Sequence, residues 1–240
     1  MQYDFMPRVG CRASVRHIGR EAQPILIFDD FFTDPFSLVE YANQARFAPA
    51  TTLYPGINAP VPPAYAQAVL RGIGSWLSTA FGVNPRSAKV AGAFMGIVTT
   101  PPDRLNPLQR LPHVDQPQTG QIAILHYLCD QTFGGTTFFR YRPTGYESLN
   151  RARMLEVGQH IDHELAAHGP PAPKYPGTKT ALFEPIASVF ACFNRLVAYR
   201  SELLHSGSVP AGAPLNAAPE RGRLTVNLFI RFDSLAQVHE

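Results

Sequence analysis

In the segment LPHVDQP (residues 111–117) an imidazole and a carboxylate stand two positions apart, at His113 and Asp115. In extended backbone, residues i and i+2 project to the same side, so this pair can converge on one cation. Two histidines and one carboxylate on one face of a metal, with the other positions open, form the donor set of non-haem Fe(II) oxygenases. A third ligand is then required from elsewhere. His-x-Asp alone is a weak signal, and the chain carries a second copy, His160-Ile161-Asp162 in HIDHE. That copy lies in helical sequence, where i and i+2 point about 200° apart. His160 and His163 can share a helix face, and they read as solvated surface. His126 alternates with Ile122 and Ile124, which reads as a packed core or pocket-wall histidine rather than a ligand.

The elements that must position these groups follow from periodicity and turn signals. The first twenty residues are basic and irregular, so residues 1–22 read as an N-terminal arm or an edge strand. Ile25 to Phe28 is a short buried-strand run, and Thr33-Asp34-Pro35 caps a helix to about Arg46, with Phe36, Leu38, Val39 and Ala42 at helical spacing. Residues 48–63, rich in Pro, Gly and Asn, read as a loop. A second helix is expected from Ala64 to Phe81, with Trp76 as core packing. Strands are expected in AKVAGAFMGIVTT, closed by Pro101-Pro102, then at 120–130, 134–142, 189–201 and 223–232. Gly134 and Gly135 permit a tight turn with positive φ. Helices followed by many short strands indicate an α+β chain with an antiparallel sandwich or barrel.

Residues 143–181 break the strand rhythm. A helix is expected from about Glu147 to Ala167, followed by HGPPAPKYPGTK. Such an insertion acts as a lid or is a fixed decoration on the sheet. Arg140 and Arg142 alternate with Phe139 and Tyr141, facing either a substrate cleft or solvent. The chain of 240 residues is read as a single domain with a sizeable core.

Composition excludes several classes. The net charge is +3 and the 21 basic residues are scattered, so no nucleic-acid partner is expected. Three cysteines, Cys11, Cys129 and Cys192, at irregular spacing fit a reduced compartment and neither a disulfide framework nor a zinc knuckle. No uninterrupted apolar segment approaches the roughly 18 residues a membrane span needs. A soluble, cytoplasmic protein with no membrane partner is expected.

Beyond HVD come ILHYLCDQTFGGTTFFRYR, then CFNRLVAYRSELLHSGSVP and RGRLTVNLFIRF. Together they resemble the 2-oxoglutarate-dependent dioxygenase superfamily, nearest its prolyl-4-hydroxylase-like members and an uncharacterised bacterial branch. The resemblance covers about residues 111–232, and ILIFDDFF looks like the family's opening strand and helix. It implies a double-stranded β-helix (jelly-roll) with N-terminal helices packed on one sheet. His205 becomes the distal metal ligand beside His113 and Asp115. Arg223 is implied to bind the distal carboxylate of 2-oxoglutarate, a task suited to a bidentate guanidinium. Thr225 offers a hydroxyl on the same strand face, and Tyr127 and Tyr199 are weaker candidates for contacts to the cosubstrate. The interval from His205 to Arg223 is long for the family, because PAGAPLNAAPE looks inserted, so Arg221 is a rival.

The implied cofactor and cosubstrates are Fe(II), 2-oxoglutarate and O2, and the implied activity is oxidation, by default hydroxylation, of a small molecule or peptide side chain. Desaturation or cyclisation would use the same ligands. The alternatives are a cupin-like metal protein that does not use 2-oxoglutarate and a catalytically silent jelly-roll binding module.

Overall fold

A computed structural model describes residues 5–177 and 180–233 of the chain. It is mainly β, with two antiparallel sheets and three α-helices among the described residues. In chain order the elements are β1 (Arg12–Ile18), β2 (Gln23–Asp29), α1 (Phe36–Gln44), β3 (Ala48–Pro49), β4 (Gly56–Ala59), α2 (Tyr65–Phe81), β5 (Lys89–Val98), β6 (Gln121–Tyr127), β7 (Gly135–Tyr141), α3 (Arg151–His168), β8 (Phe183–Phe190), β9 (Arg195–Arg200), β10 (His205–Ser208) and β11 (Arg223–Arg231). The large sheet runs β1-β2-β9-β6-β11-β5-β4-β3, and the small one β10-β7-β8.

Strand alternation sorts the interior into layers, since successive side chains point to opposite faces. Even-numbered residues of β11 (Leu224, Val226, Leu228, Ile230) join Ile122, Ile124, Leu196 and Ala198 on the face that packs on α1 and α2. The opposite face, with Ala123, Leu125, Tyr127, Val197 and Tyr199, meets Phe138 and Val189 of the small sheet. A third cluster, including Phe139, Tyr141 and Phe183, covers the outside of the small sheet, where Val157 of α3 packs. The centre of the large sheet is therefore covered on both sides, which explains why β6 is buried along its whole length.

Several expectations need correction. Of the two readings of the N-terminal residues, 12–18 take the edge strand and not the arm: β1 pairs with β2 over its full length and forms an edge of the large sheet. The 48–63 segment contributes β3 and β4, because Gly56 and Asn58 continue the ladder beside β5. Residues 189–201 hold the end of β8 and all of β9, separated by a turn at Asn194 with φ 64°. Trp76 is partly exposed, with one edge on Phe28. Arg140 faces neither substrate nor open water: it binds the fully buried Glu147 and reaches Glu184. Glu147 also accepts from the backbone N–H groups of Arg20 and Glu21, each at 2.9 Å, fastening the β1–β2 turn to the start of the insertion.

His126 lies on the helix-facing side, away from Asp115. Asn194 fixes its tautomer. The Asn194 amide donates to Phe32 O at 2.9 Å and its Oδ1 accepts from Phe32 N at 3.0 Å. Oδ1 is therefore the atom facing His126 Nε2 at 3.2 Å, and Nε2 must carry the proton. Nδ1 is left to accept from the Tyr65 hydroxyl at 3.2 Å. Burial lowers the His126 pKa from 6.5 to about 4, with the Asn194 hydrogen bond opposing.

An unfolded histidine titrates first as pH falls, so this group's share of stability is complete above about pH 6.5 and is lost toward pH 4. His126→Gln should therefore flatten the acid limb of stability by up to one proton, about 1.4 kcal/mol per pH unit, in urea unfolding measured between pH 7 and pH 5. Identical slopes in the two proteins would show that His126 is not held neutral.

Candidate metal centre

His113 and His205 are joined through their backbones. Each N–H donates to the other residue's carbonyl at 2.9 Å, forming an isolated antiparallel bridge. This brings the two rings to a centroid separation of 4.6 Å. Two residues on, Asp115 N and Gln116 N both donate to Ser201 O, at 2.9 and 3.3 Å, zipping HVDQ onto the connection between β9 and β10. His205 is the first residue of β10 rather than a loop residue following a strand. Ligand-capable atoms of His113, Asp115 and His205 all lie within 4.8 Å of one another, the only such group of three among the described residues.

The electrostatics of this cluster are those of a site built round a cation. His205 Nδ1 lies 2.8 Å from Leu203 O, which fixes its proton there and leaves the Nε2 lone pair free. That lone pair faces Asp115 Oδ2 at 3.6 Å. Oδ2 is buried and has no hydrogen-bond partner. Burial lowers the His205 pKa to about 4, opposed by the Leu203 carbonyl, and burial raises that of Asp115 to about 6, opposed by His113. At neutral pH the imidazole is thus uncharged and the carboxylate ionised, so two acceptors oppose each other across 3.6 Å. A positive ion between them removes that conflict. Burial, then the charge of His205, lowers His113 to about 4 while Asp115 opposes, although His113 is exposed on one side and water there offsets part of the desolvation. Two neutral imidazole nitrogens and one carboxylate suit a first-row divalent metal.

His160 belongs to a different environment. On α3 its Nδ1 is hydrogen-bonded to the Tyr141 hydroxyl, and its Nε2 lies 3.6 Å from Glu164. It is more than a solvated surface residue, yet it forms no ligand cluster with Asp162.

Arg223 is buried, whereas Arg221 is exposed in the turn before β11. The Arg223 guanidinium crosses to the small sheet, where Nε donates to Phe133 O at 3.1 Å and Nη2 to Gly135 O at 2.8 Å. No carboxylate pairs with it among the described residues. Gly207 lies two residues past His205, and a Cβ there would sit 3.7 Å from Arg223 Nη2. One strand face therefore presents the metal ligand and, roughly 7 Å along, the guanidinium. Thr225 is enclosed on the same face of β11, and its Oγ1 accepts from Asn227 Nδ2 at 3.1 Å. Tyr127 lies beneath the guanidinium, with its ring centre 5.8 Å from the Arg223 Cζ and its hydroxyl committed to Thr136 at 2.6 Å. Tyr199 packs edge-on against His205, with ring centres 4.8 Å apart. Gly134 takes φ +85°, and a Cβ there would meet Ser208 O at 1.8 Å, so it admits close approach of the backbone beside β10 as well as the turn.

Two tyrosines near Arg223 carried no sequence signal. Tyr54 comes from the stretch read as loop, and Tyr175 from the insertion. The Tyr175 hydroxyl donates to Thr100 O at 2.6 Å, and the Arg223 charge is felt by both phenols. Their placement depends on contacts distant in sequence, and a tyrosine in a Pro-rich segment has no diagnostic spacing. A cavity of about 470 Å³ lies between α3, the Pro-rich segment and the outer face of the small sheet, with Pro112, the neighbour of His113 in sequence, in its wall. Its walls include Leu111, Phe139, Leu165, Tyr175 and Phe183.

The sequence pattern of a family of unknown function, DUF6445, matches residues 10–230. No curated protein sequence matches the chain. Among solved structures, HygX from Streptomyces hygroscopicus with nickel, 2-oxoglutarate and hygromycin B bound is similar at 11% identity, over 88% of this chain and 84% of that one, with a TM-score of 0.49. Its apo form gives 12% identity, coverage of 92% and 87%, and a TM-score of 0.45. An N-substituted L-amino acid dioxygenase from Burkholderia ambifaria AMMD gives 14%, coverage of 97% and 100%, and 0.46.

Asp115→Asn should leave the metal-free protein as stable as the wild type or slightly more so, because it removes an unpartnered buried charge. Stabilisation by Mn(II) in thermal unfolding should disappear in the same variant, and His160→Ala should retain it. Loss of the metal response in His160→Ala, or its survival in Asp115→Asn, would refute the assignment.

Proposed function

The chain belongs to DUF6445, a family of unknown function, and we propose that it is an Fe(II)- and 2-oxoglutarate-dependent oxygenase on a jelly-roll scaffold. One observation carries the reading. An orphaned carboxylate set against the neutral imidazole that begins β10 stands near a buried guanidinium, packed at Gly207 two residues along β10, that has no acidic partner among the described residues. A metal chelated by a 2-oxo acid whose far end is a carboxylate satisfies both ends at once. A metal protein that does not use such a ligand leaves Arg223 without a purpose that offsets its burial. A silent binding module leaves Asp115 unexplained as well.

In this reading His113, Asp115 and His205 would hold the iron. Bound iron and 2-oxoglutarate supply the O2-dependent oxidation chemistry itself. The protein's own groups orient and enclose. The Leu203 carbonyl keeps the His205 ring in the tautomer that ligates. Phe133 O and Gly135 O hold two edges of the Arg223 guanidinium, and Tyr127 supports its plane, so the remaining donors are aimed without further ordering cost. Thr225 offers a second contact to the distal carboxylate. The cavity beside Pro112 seats the substrate, and its largely carbon walls suit a small molecule or side chain with an apolar body.

The insertion forms much of that cavity. α3 rests on the small sheet through Val157, while residues 169–177 are tied down by Arg110 Nη1 to Pro171 O at 3.0 Å and Tyr175 Oη to Thr100 O at 2.6 Å. We therefore assign the lid role to the Pro-rich segment and a fixed, packed role to the helix.

Anaerobic addition of 2-oxoglutarate to the Fe(II) protein should produce a weak visible charge-transfer band. Its absence sinks the oxygenase reading. Arg223→Ala should raise the 2-oxoglutarate concentration needed for the band by about a hundredfold or more with Fe(II) affinity nearly unchanged, because breaking a buried charge pair costs ~3–5 kcal/mol. Arg221→Ala should change it little. Tyr175→Phe should retain the band and increase 2-oxoglutarate turnover uncoupled from substrate oxidation. Unaltered coupling in that variant would remove the lid assignment.

A further inference from the structure

The Tyr54 hydroxyl is buried and has no hydrogen-bond partner. A phenol left unpaired in a protein interior costs stability, and such groups call for a ligand or a solvent molecule. Its surroundings are built with care. The ring lies over Gly96 of β5, where a Cβ would approach the Tyr54 Cζ to 2.5 Å and the hydroxyl to 2.6 Å. Phe94, two residues earlier on β5, braces the ring edge-on at 5.4 Å. Pro55 O accepts from Thr99 N and Thr100 N, each at 3.2 Å, and holds the loop against the end of that strand. Any residue but glycine at 96 would displace the ring.

Strand register gives the hydroxyl its neighbours. Asn58, Gly96, Thr225 and Tyr127 form one row across β4, β5, β11 and β6, and Arg223 begins the row beside it. Residues paired across antiparallel strands share a face, so the whole row faces the small sheet. Asn58 Oδ1 is also buried and unpartnered. Thr225 is near enough to Tyr54 to ease its ionisation, yet the two make no hydrogen bond of ordinary geometry. Burial pushes the Tyr54 pKa up to about 12, with the Arg223 charge opposing, so the phenol remains a proton donor at any working pH. The Tyr54 hydroxyl, on a loop, and the Arg223 guanidinium, on β11, thus offer donors to one face of the sheet, where the Asn58 Oδ1 acceptor is likewise unpartnered.

We infer that Tyr54 is a further binding residue for the distal carboxylate of the 2-oxo acid, and that with Arg223 and Thr225 it makes the pocket selective for a dicarboxylate. This rests on the oxygenase reading above. A carboxylate has two oxygens and accepts from several donors at once. Arg223 has its Nε and one Nη2 donor committed to backbone carbonyls, and Tyr54 adds a donor to those that remain. A 2-oxo acid ending in a methyl group leaves Tyr54 as unsatisfied as it is without ligand. Selectivity of this kind comes from the penalty on unpaired polar groups rather than from added attraction.

The test uses calorimetric titration of the Mn(II)-loaded protein with 2-oxoglutarate and with 2-oxopentanoate, which replaces the distal carboxylate by a methyl group. Tyr54→Phe should weaken 2-oxoglutarate roughly ten- to a hundredfold, the range for a hydrogen bond to a charged group. Affinity for 2-oxopentanoate should be unchanged. The ligand-free variant should melt at the wild-type temperature or above, because the change removes an unpaired hydroxyl and keeps the ring. Equal weakening of both acids together with a lower melting temperature would mean that Tyr54 only supports the fold. Unchanged 2-oxoglutarate affinity in the variant would overturn the inference while leaving the oxygenase reading intact. A wild-type protein that binds neither acid would overturn both.

Discussion

The mutual backbone bridge between His113 and His205 is the contact on which the candidate site depends. Two hydrogen bonds of 2.9 Å join a segment leading toward β6 to the first residue of β10, across 92 positions of sequence (205 − 113). Because β10 belongs to the small sheet and pairs with β7, the bridge positions the His-x-Asp segment at the margin of that sheet. Asp115 follows from it, since the same segment is held two residues on by Ser201 O. Backbone pairing of this kind fixes ligand positions more tightly than side-chain packing can, and a metal site tolerates little error in position.

Polar groups are distributed unevenly through the protein. Around Glu147, a fully buried carboxylate has a guanidinium and two backbone N–H groups within hydrogen-bond reach. Around Asn194, every hydrogen-bonding atom of the side chain is used by Phe32 and His126. These networks close on themselves and hold elements together. Round Asp115 and Tyr54 the accounting stays open, with two acceptors facing each other at one end and an unpartnered phenol beside Arg223 at the other. Such local deficits lower stability, and a fold tolerates them where a ligand later fills them.

The insertion combines both characters. Glu147, Ser148 and Arg153 bind it to Glu21 and the β1–β2 turn, so its base is part of the scaffold. Its distal part is Pro-rich, has few backbone bonds, and touches the body through Arg110 and Tyr175.

Local sequence determined the elements and their faces. Alternation in RLTVNLFIRF assigned Arg223 and Thr225 to one side of a strand, and i, i+2 geometry paired His113 with Asp115. These readings need only the repeat of extended backbone, a property of neighbouring residues. The short strand beside β5 was missed because it depends on pairing with distant chain, and the choice between arm and edge strand for residues 12–18 was settled by the ladder with β2. Trp76, Arg140 and His160 were read as core or as solvated from their own periodicity, whereas their partners Phe28, Glu147 and Tyr141 decide their surroundings. His205 could be singled out by resemblance, but its closeness to Asp115 exists only once residues 113–116 pair with 201–205. Tyr54 had no signal at all. Its importance lies in a missing hydrogen bond, and the absence of a partner is a property of everything packed around a group, decided only by tertiary structure.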